Sequence, residues 1–119
     1  MITWRRSFIV LKMNKVYSLL GLAAKSRNLV SGEFMTEKEI KDGKAVLVIV
    51  TDDASDNTKK MFSNMCIHYD VPLVIYGTKA DLGHAIGREQ RASLALTDKG
   101  FAETVKKQLT EAKKDTEVE

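Results

Sequence analysis

Two short stretches hold the residues best suited to chemistry. The first is Ser31-Gly32-Glu33-Phe34-Met35, continuing to Lys38, and the second is Arg88-Glu89-Gln90-Arg91. A glycine that opens a helix leaves backbone N–H groups without intrahelical partners, with a partial positive charge behind them. An anion such as phosphate suits that arrangement. The bland reading is an ordinary connection in a small α/β domain, and on these residues alone it comes first. The second stretch sets two guanidinium groups in one polar loop. Guanidinium groups pair with phosphate oxygens and stack on planar groups.

Other candidates carry less. Asp52 and Asp53 follow an apolar run. A hard cation wants several oxygen ligands, so helix capping accounts for them more simply. Cys66 and His68 are two residues apart and diverge on a helix, so they make a poor thiol–imidazole pair. Cys66 reads as a small buried apolar group and His68 as a surface residue. His84, the other His, has no evident partner. No Ser–His–Asp set, phosphate-binding glycine signature or zinc-ligand spacing stands out. The expectation is a non-enzymatic protein with no metal, no cofactor and no small-molecule substrate.

The elements that must position the two stretches follow from hydrophobic spacing. Asn14 suits an N-cap, and Val16, Leu19, Leu20, Ala23 and Ala24 share one face of a helix. Gly21 lets that helix approach a neighbour closely. Lys25 and Arg27 stand at its C-terminal end, where cations suit the dipole. A short strand is expected over residues 28–30, then a helix from about Gly32 to Asp42 with Ile40 inward. Thr36 and Glu39 have capping-box spacing, but a helix starting there is too short before Gly43. Phe34 and Met35 fall in its first turn, where apolar residues usually pack inward, though partial exposure of both stays open.

Ala45–Val50 is apolar throughout, the habit of a central strand covered on both faces. Ser55–Tyr69 reads as a helix with Met61, Phe62, Met65, Cys66 and Tyr69 at core spacing. Val71–Tyr76 contains the only proline, Pro72, which favours an edge strand. Thr78 and Asp81 have capping-box spacing before Leu82, Ala85 and Ile86, and Gly87 ends that helix. Ala92–Leu96 is the next strand. Thr97 or Asp98 caps a last helix with Phe101, Val105 and Leu109 inward. Such alternation implies an α/β fold, a three-layer α/β/α sandwich with a central sheet of about four strands.

The chain has 119 residues, which fits one domain able to hold its own core. We divide it into an N-terminal extension over 1–12, a domain over 13–110 and a charged tail over 111–119. Met1–Lys12 resembles nothing that follows, and a second Met stands at 13. The expectation is that translation starts there, which the intact mass of native protein tests. The net charge is +3, and without the tail 17 Lys plus Arg face 12 Asp plus Glu. A basic body is compatible with a polyanion partner. One Cys allows no intramolecular disulfide and suits the cytoplasm, the expected location. No apolar run approaches the length of a bilayer span.

The stretches VSGEFMTEKEIKDGKAVLVIVTDDAS and YDVPLVIYGTKADLGHAIGREQRASLALTD resemble the kink-turn-binding family of ribosomal proteins, the large-subunit proteins 7Ae and 30e. The likeness spans about Lys15 to Leu109 and is strongest to the short bacterial members. It rests on the Gly that opens the second helix, the Lys six residues on and the Gly before the long strand. Acids after that strand, a Val-Pro pair, Leu82-Gly83 and Gly87 complete it.

The resemblance implies a mixed sheet between helices and binding of structured, kink-turn-like RNA, ribosomal or other, through two adjoining loops. It also implies a ribosome-associated ribonucleoprotein. Gly32 matches the glycine whose bare backbone lets RNA approach, and Glu33 follows it. Lys38 matches a lysine at the sheared G·A region. Ile86 and Gly87 match the helix end before the second loop, and Arg88, Gln90 and Arg91 match that loop. Ribosomal members place an Asn and a Glu, which read guanine edges, where this chain has Phe34 and Met35. Neither side chain offers those hydrogen bonds, whereas Phe34 can stack on a base. The alternative is a protein-interaction scaffold of the same fold that has lost kink-turn recognition. That alternative expects Phe34 and Met35 in an exposed apolar patch with little basic potential around it.

Overall fold

The computed structural model describes residues 15–118, with side chains through Glu111. The extension, the start at Met13 and the Asn14 cap lie outside the described residues. Helix α1 covers 15–25. Then come β1 (Leu29–Ser31), α2 (Glu33–Lys41), β2 (Leu47–Val50) and α3 (Asp56–Tyr69). They are followed by β3 (Leu73–Ile75), α4 (Lys79–Ala85), β4 (Ser93–Leu96) and α5 (Lys99–Val118). The last helix therefore runs on through most of the segment set apart as a tail.

The sheet order is β1-β4-β2-β3. β2 pairs parallel with β3, while β4 pairs antiparallel with both β1 and β2. The sheet is mixed, as expected, and β3, just after Pro72, is an edge strand. All four residues of β2 and all four of β4 are buried. Alternation within β2 feeds two cores. Leu47 and Ile49 join Val16, Leu20, Leu82, Leu94, Leu96 and Val105 under α1, α4 and α5. Val48 and Val50 join Ile40, Phe62, Cys66 and Ala95 under α2 and α3. The sandwich has three layers because each face of one apolar strand pair is covered by helices.

Local chemistry sets the element ends. Gly32, not Thr36, is the N-cap of α2. Thr36 lies inside the helix, fully buried, and the Ser93 hydroxyl donates to its Oγ1 at 3.5 Å. The Ser55 hydroxyl accepts the Thr58 N–H and starts α3. The Thr78 hydroxyl accepts the Asp81 N–H at 3.1 Å and starts α4. Asp98, rather than Thr97, caps α5 by accepting the Phe101 N–H at 2.9 Å. Gly21 packs α1 on α4 so closely that a Cβ there would stand 2.8 Å from the Ala85 carbonyl oxygen.

Three expectations need correction. Tyr69 has core spacing on α3 but is 41% exposed, because it is the last residue of the helix and stands past the sheet-facing pair Phe62 and Cys66. Its ring meets His68 edge-on, with centroids 4.8 Å apart. Phe34 and Met35 do not pack inward: they are 75% and 37% exposed. The strands are also shorter than their apolar runs, since Ala45 and Val46 enter β2 before its ladder begins. Cys66 is buried as expected, and burial pushes its thiol up to about 11, so it stays protonated at neutral pH.

Candidate functional site

The N-terminus of α2 is built on backbone that only glycine adopts readily. Gly32 has φ 92° and ψ 158°, and a Cβ there would meet open space rather than protein. Its N–H donates to the Ser93 carbonyl at 3.0 Å, which holds the loop against β4. No side chain caps α2, and the first ladder bond runs from the Thr36 N–H to the Gly32 carbonyl. The N–H groups before it have no intrahelical acceptor. Glu33 lies in that first turn, where an acid suits the dipole.

The second loop leaves α4 through a Schellman turn. Gly87, at φ 73°, donates to the His84 carbonyl at 3.2 Å, and the Arg88 N–H donates to the Gly83 carbonyl at 2.8 Å. The loop then folds back over α4. An ideal Cβ on Gly83 would stand 1.6 Å from the Glu89 carbonyl oxygen, so the helix offers the loop a flat seat there. The Arg91 N–H donates to the Lys79 carbonyl at 3.1 Å, tying the far end of the loop to the start of α4.

Arg91 joins the two loops. Its Nε donates to the Ser31 hydroxyl at 3.2 Å, across 60 residues of sequence, and its Nη1 donates to the Gln90 carbonyl at 2.8 Å. Between the loops lies a groove of about 490 Å³. Its walls include Lys25, Val30, Ser31, Met35, Ile86, Arg88 and Arg91. Three cations line it and, among the described residues, no acid does. An anion with a planar or apolar part fits such a lining.

The structure thus brings Met35, Ile86, Arg88 and Arg91 into one groove. Gly32, Glu33 and Phe34 adjoin it through Met35 on the same first turn. Gly87 and Gln90 act through backbone geometry, and the Gln90 side chain is exposed. Lys38 is not among the groove residues. It lies on the exposed side of α2 and donates to Asp42 Oδ2 at 2.9 Å. That bond raises the Lys38 pKa and lowers that of Asp42. Sequence reasoning missed Lys25, which it assigned to the helix dipole. Lys25 also lines the groove, since the end of α1 opens onto it.

Asp52 and Asp53 do not cap α3, which uses Ser55. Asp53 instead accepts the Lys79 N–H at 3.0 Å and so pins the start of α4, the helix that carries the second loop. Its carboxyl sits below the usual range: desolvation, which raises it, is outweighed by hydrogen bonds including that from Lys79. A lowered carboxyl stabilises the fold above its unfolded pKa of 3.8, and this contribution is lost as pH falls through the folded value. Asp53→Ala is expected to lower the thermal midpoint by a few degrees at neutral pH, with the difference vanishing in acid. Melting curves of both proteins from neutral to strongly acidic pH check this.

A family model described as the ribosomal protein L7Ae/L30e/S12e/Gadd45 family matches residues 14–106. The chain belongs to that family. Within it, the chain is similar to the RNA-binding protein YlxQ of Bacillus subtilis (strain 168). The two are 46% identical over 86 residues, covering 72% of this chain and 86% of that protein. The large ribosomal subunit protein eL30 of Methanopyrus kandleri is 32% identical over 104 residues, 83% of this chain and 95% of that one. A solved structure of a protein of unknown function from Bacillus halodurans C superposes with a TM-score of 0.78 at 36% identity. That match covers 81% of this chain and 97% of the other. The Giardia lamblia 15.5kD RNA binding protein shares the fold, with a TM-score of 0.69 at 22% identity, covering 90% and 89%. The resemblance noted from the sequence is therefore to the right family, short bacterial members included. Among the described residues, no helix is long and apolar enough to cross a membrane.

Proposed function

We propose that this chain is a non-enzymatic RNA-binding protein that recognises structured, kink-turn-like RNA through the groove between its two loops. One observation carries the reading: Arg91 bonds Ser31, so Lys25, Arg88 and Arg91 converge beside the uncapped N-terminus of α2. Phosphates set protein register on RNA, and cations and free N–H groups are what they need. The names of the relatives point the same way. The exposed Phe34 is what an interaction scaffold also expects, but the three cations that line the groove with Met35 favour RNA over an apolar protein partner.

The test is binding to a kink-turn RNA and to a straight duplex of equal length across a salt series. Preference for the bent RNA, with affinity falling steeply as salt rises, is the expected result. Equal binding to both removes the kink-turn part and leaves a general RNA binder. Binding to neither overturns the reading. The proposed setting is the cytoplasm, on the ribosome or its assembly intermediates, where the native protein should cosediment with ribosomal particles.

A further inference from the structure

We infer that Phe34 is a stacking platform for one unpaired base, and that it selects RNA carrying such a base beside a helical stem. This rests on the RNA reading above and names what that site prefers. Phe34 is a large apolar side chain, 75% exposed, in the first turn of a nine-residue helix, where only its neighbour Met35, 37% exposed, is also apolar and outside the core. Among the described residues it has no aromatic partner.

Its neighbour Met35 lines the groove with Lys25, Arg88 and Arg91. Cations there hold the phosphates of a strand, and Phe34, which precedes Met35 on the first turn and projects about 100° around the helix from it, offers a face to a base that leaves the groove. Hydrogen bonds to guanine edges need donors or acceptors, which neither Phe34 nor Met35 has. A flat face tolerates any base but requires one that is not already stacked on both sides and paired. The selection is therefore for an available base rather than for a base sequence.

The experiment uses the full chain and three hairpins: one fully paired, one with a single unpaired nucleotide, and one with an abasic residue at that nucleotide. Wild type should bind the unpaired base at least fivefold tighter than the abasic hairpin, as expected for stacking one base on an aromatic ring. Phe34→Ala and Phe34→Leu should bind the two alike, while Phe34→Trp keeps the preference. The residue is exposed, so these variants should keep the wild-type fold, which circular dichroism checks.

A preference that survives Phe34→Ala, or that Phe34→Leu retains in full, overturns the inference and leaves RNA binding standing. A wild type that binds all three hairpins equally does the same. A wild type that binds none of them overturns both readings together.

Discussion

Gly83→Ala is expected to destabilise the protein, although alanine is the better helix former. In an open helix interior this change gains up to about 1 kcal/mol. Here the added Cβ would lie 1.6 Å from the Glu89 carbonyl oxygen, 2.6 Å from its carbon and 3.1 Å from the Gln90 Cα. All three are backbone atoms, so no rotamer change relieves the clash. The loop must lift, and lifting it strains the Arg88 N–H bond to the Gly83 carbonyl and the Arg91 tie to Lys79. Overpacking of this kind costs about 1–3 kcal/mol and sometimes more, which exceeds the propensity gain.

Urea denaturation should show a lower midpoint, and RNA affinity should fall with every cation still in place. Gly21→Ala is the graded comparison, with one approach of 2.8 Å to a carbonyl and no loop above it. A Gly83→Ala midpoint at or above wild type would mean that the loop does not rest on α4.

The order of elements, the three layers and the buried central strand were legible because each follows from local spacing. The apolar run through Val50 fits only a strand covered on both faces, and β2 is buried at every residue. Gly32 and Asp98 announced helix starts through their own chemistry. What was not legible depends on bonds between distant segments. The Arg91–Ser31 bond spans 60 residues and the Asp53–Lys79 bond spans 26. Asp53 was read as a helix cap, but Ser55 caps α3 and Thr78 caps α4, and nothing local says that Asp53 instead holds the Lys79 N–H. Lys25 faces the same difficulty: a helix-end lysine needs no further role until a second loop folds across from it.

Phe34 shows a different limit. The buried stripe of α2 is Thr36, Glu39 and Ile40, at i, i+3 and i+4. Phe34 is two residues before Thr36, about 200° around the helix from it. An apolar residue in a first turn was expected to seek the core, yet that stripe was filled by a threonine and a glutamate. Composition alone left the face open, whereas the phase from Ile40 gives it. Thr36 is tolerable inside because it meets the Ser93 hydroxyl.

Replacing Lys25, Arg88 and Arg91 together with Ala is expected to remove most RNA affinity without unfolding the protein. Lys25 and Arg88 are exposed, and exposed substitutions usually change stability by less than about 0.5 kcal/mol. Arg91 is half-buried and holds Ser31, so Arg91→Lys belongs beside it. Lysine keeps the charge and loses the planar fork. If Arg91 acts as a charge, Arg91→Lys binds like wild type. If it acts by locking the two loops, Arg91→Lys behaves like Arg91→Ala.

Every phosphate that the protein no longer neutralises should reduce the slope of log affinity against log salt by about 0.7–0.9. The triple variant should therefore flatten the slope by about two units, and low-salt affinity should drop about a hundredfold or more. Lys38→Ala, measured in the same series, should change the slope least, because that ammonium is outside the groove and bonded to Asp42. A triple variant with an unchanged slope, or a Lys38→Ala effect larger than the other three combined, would place the RNA elsewhere. In the second case the outer face of α2, not the groove, would be the surface on which the phosphates lie.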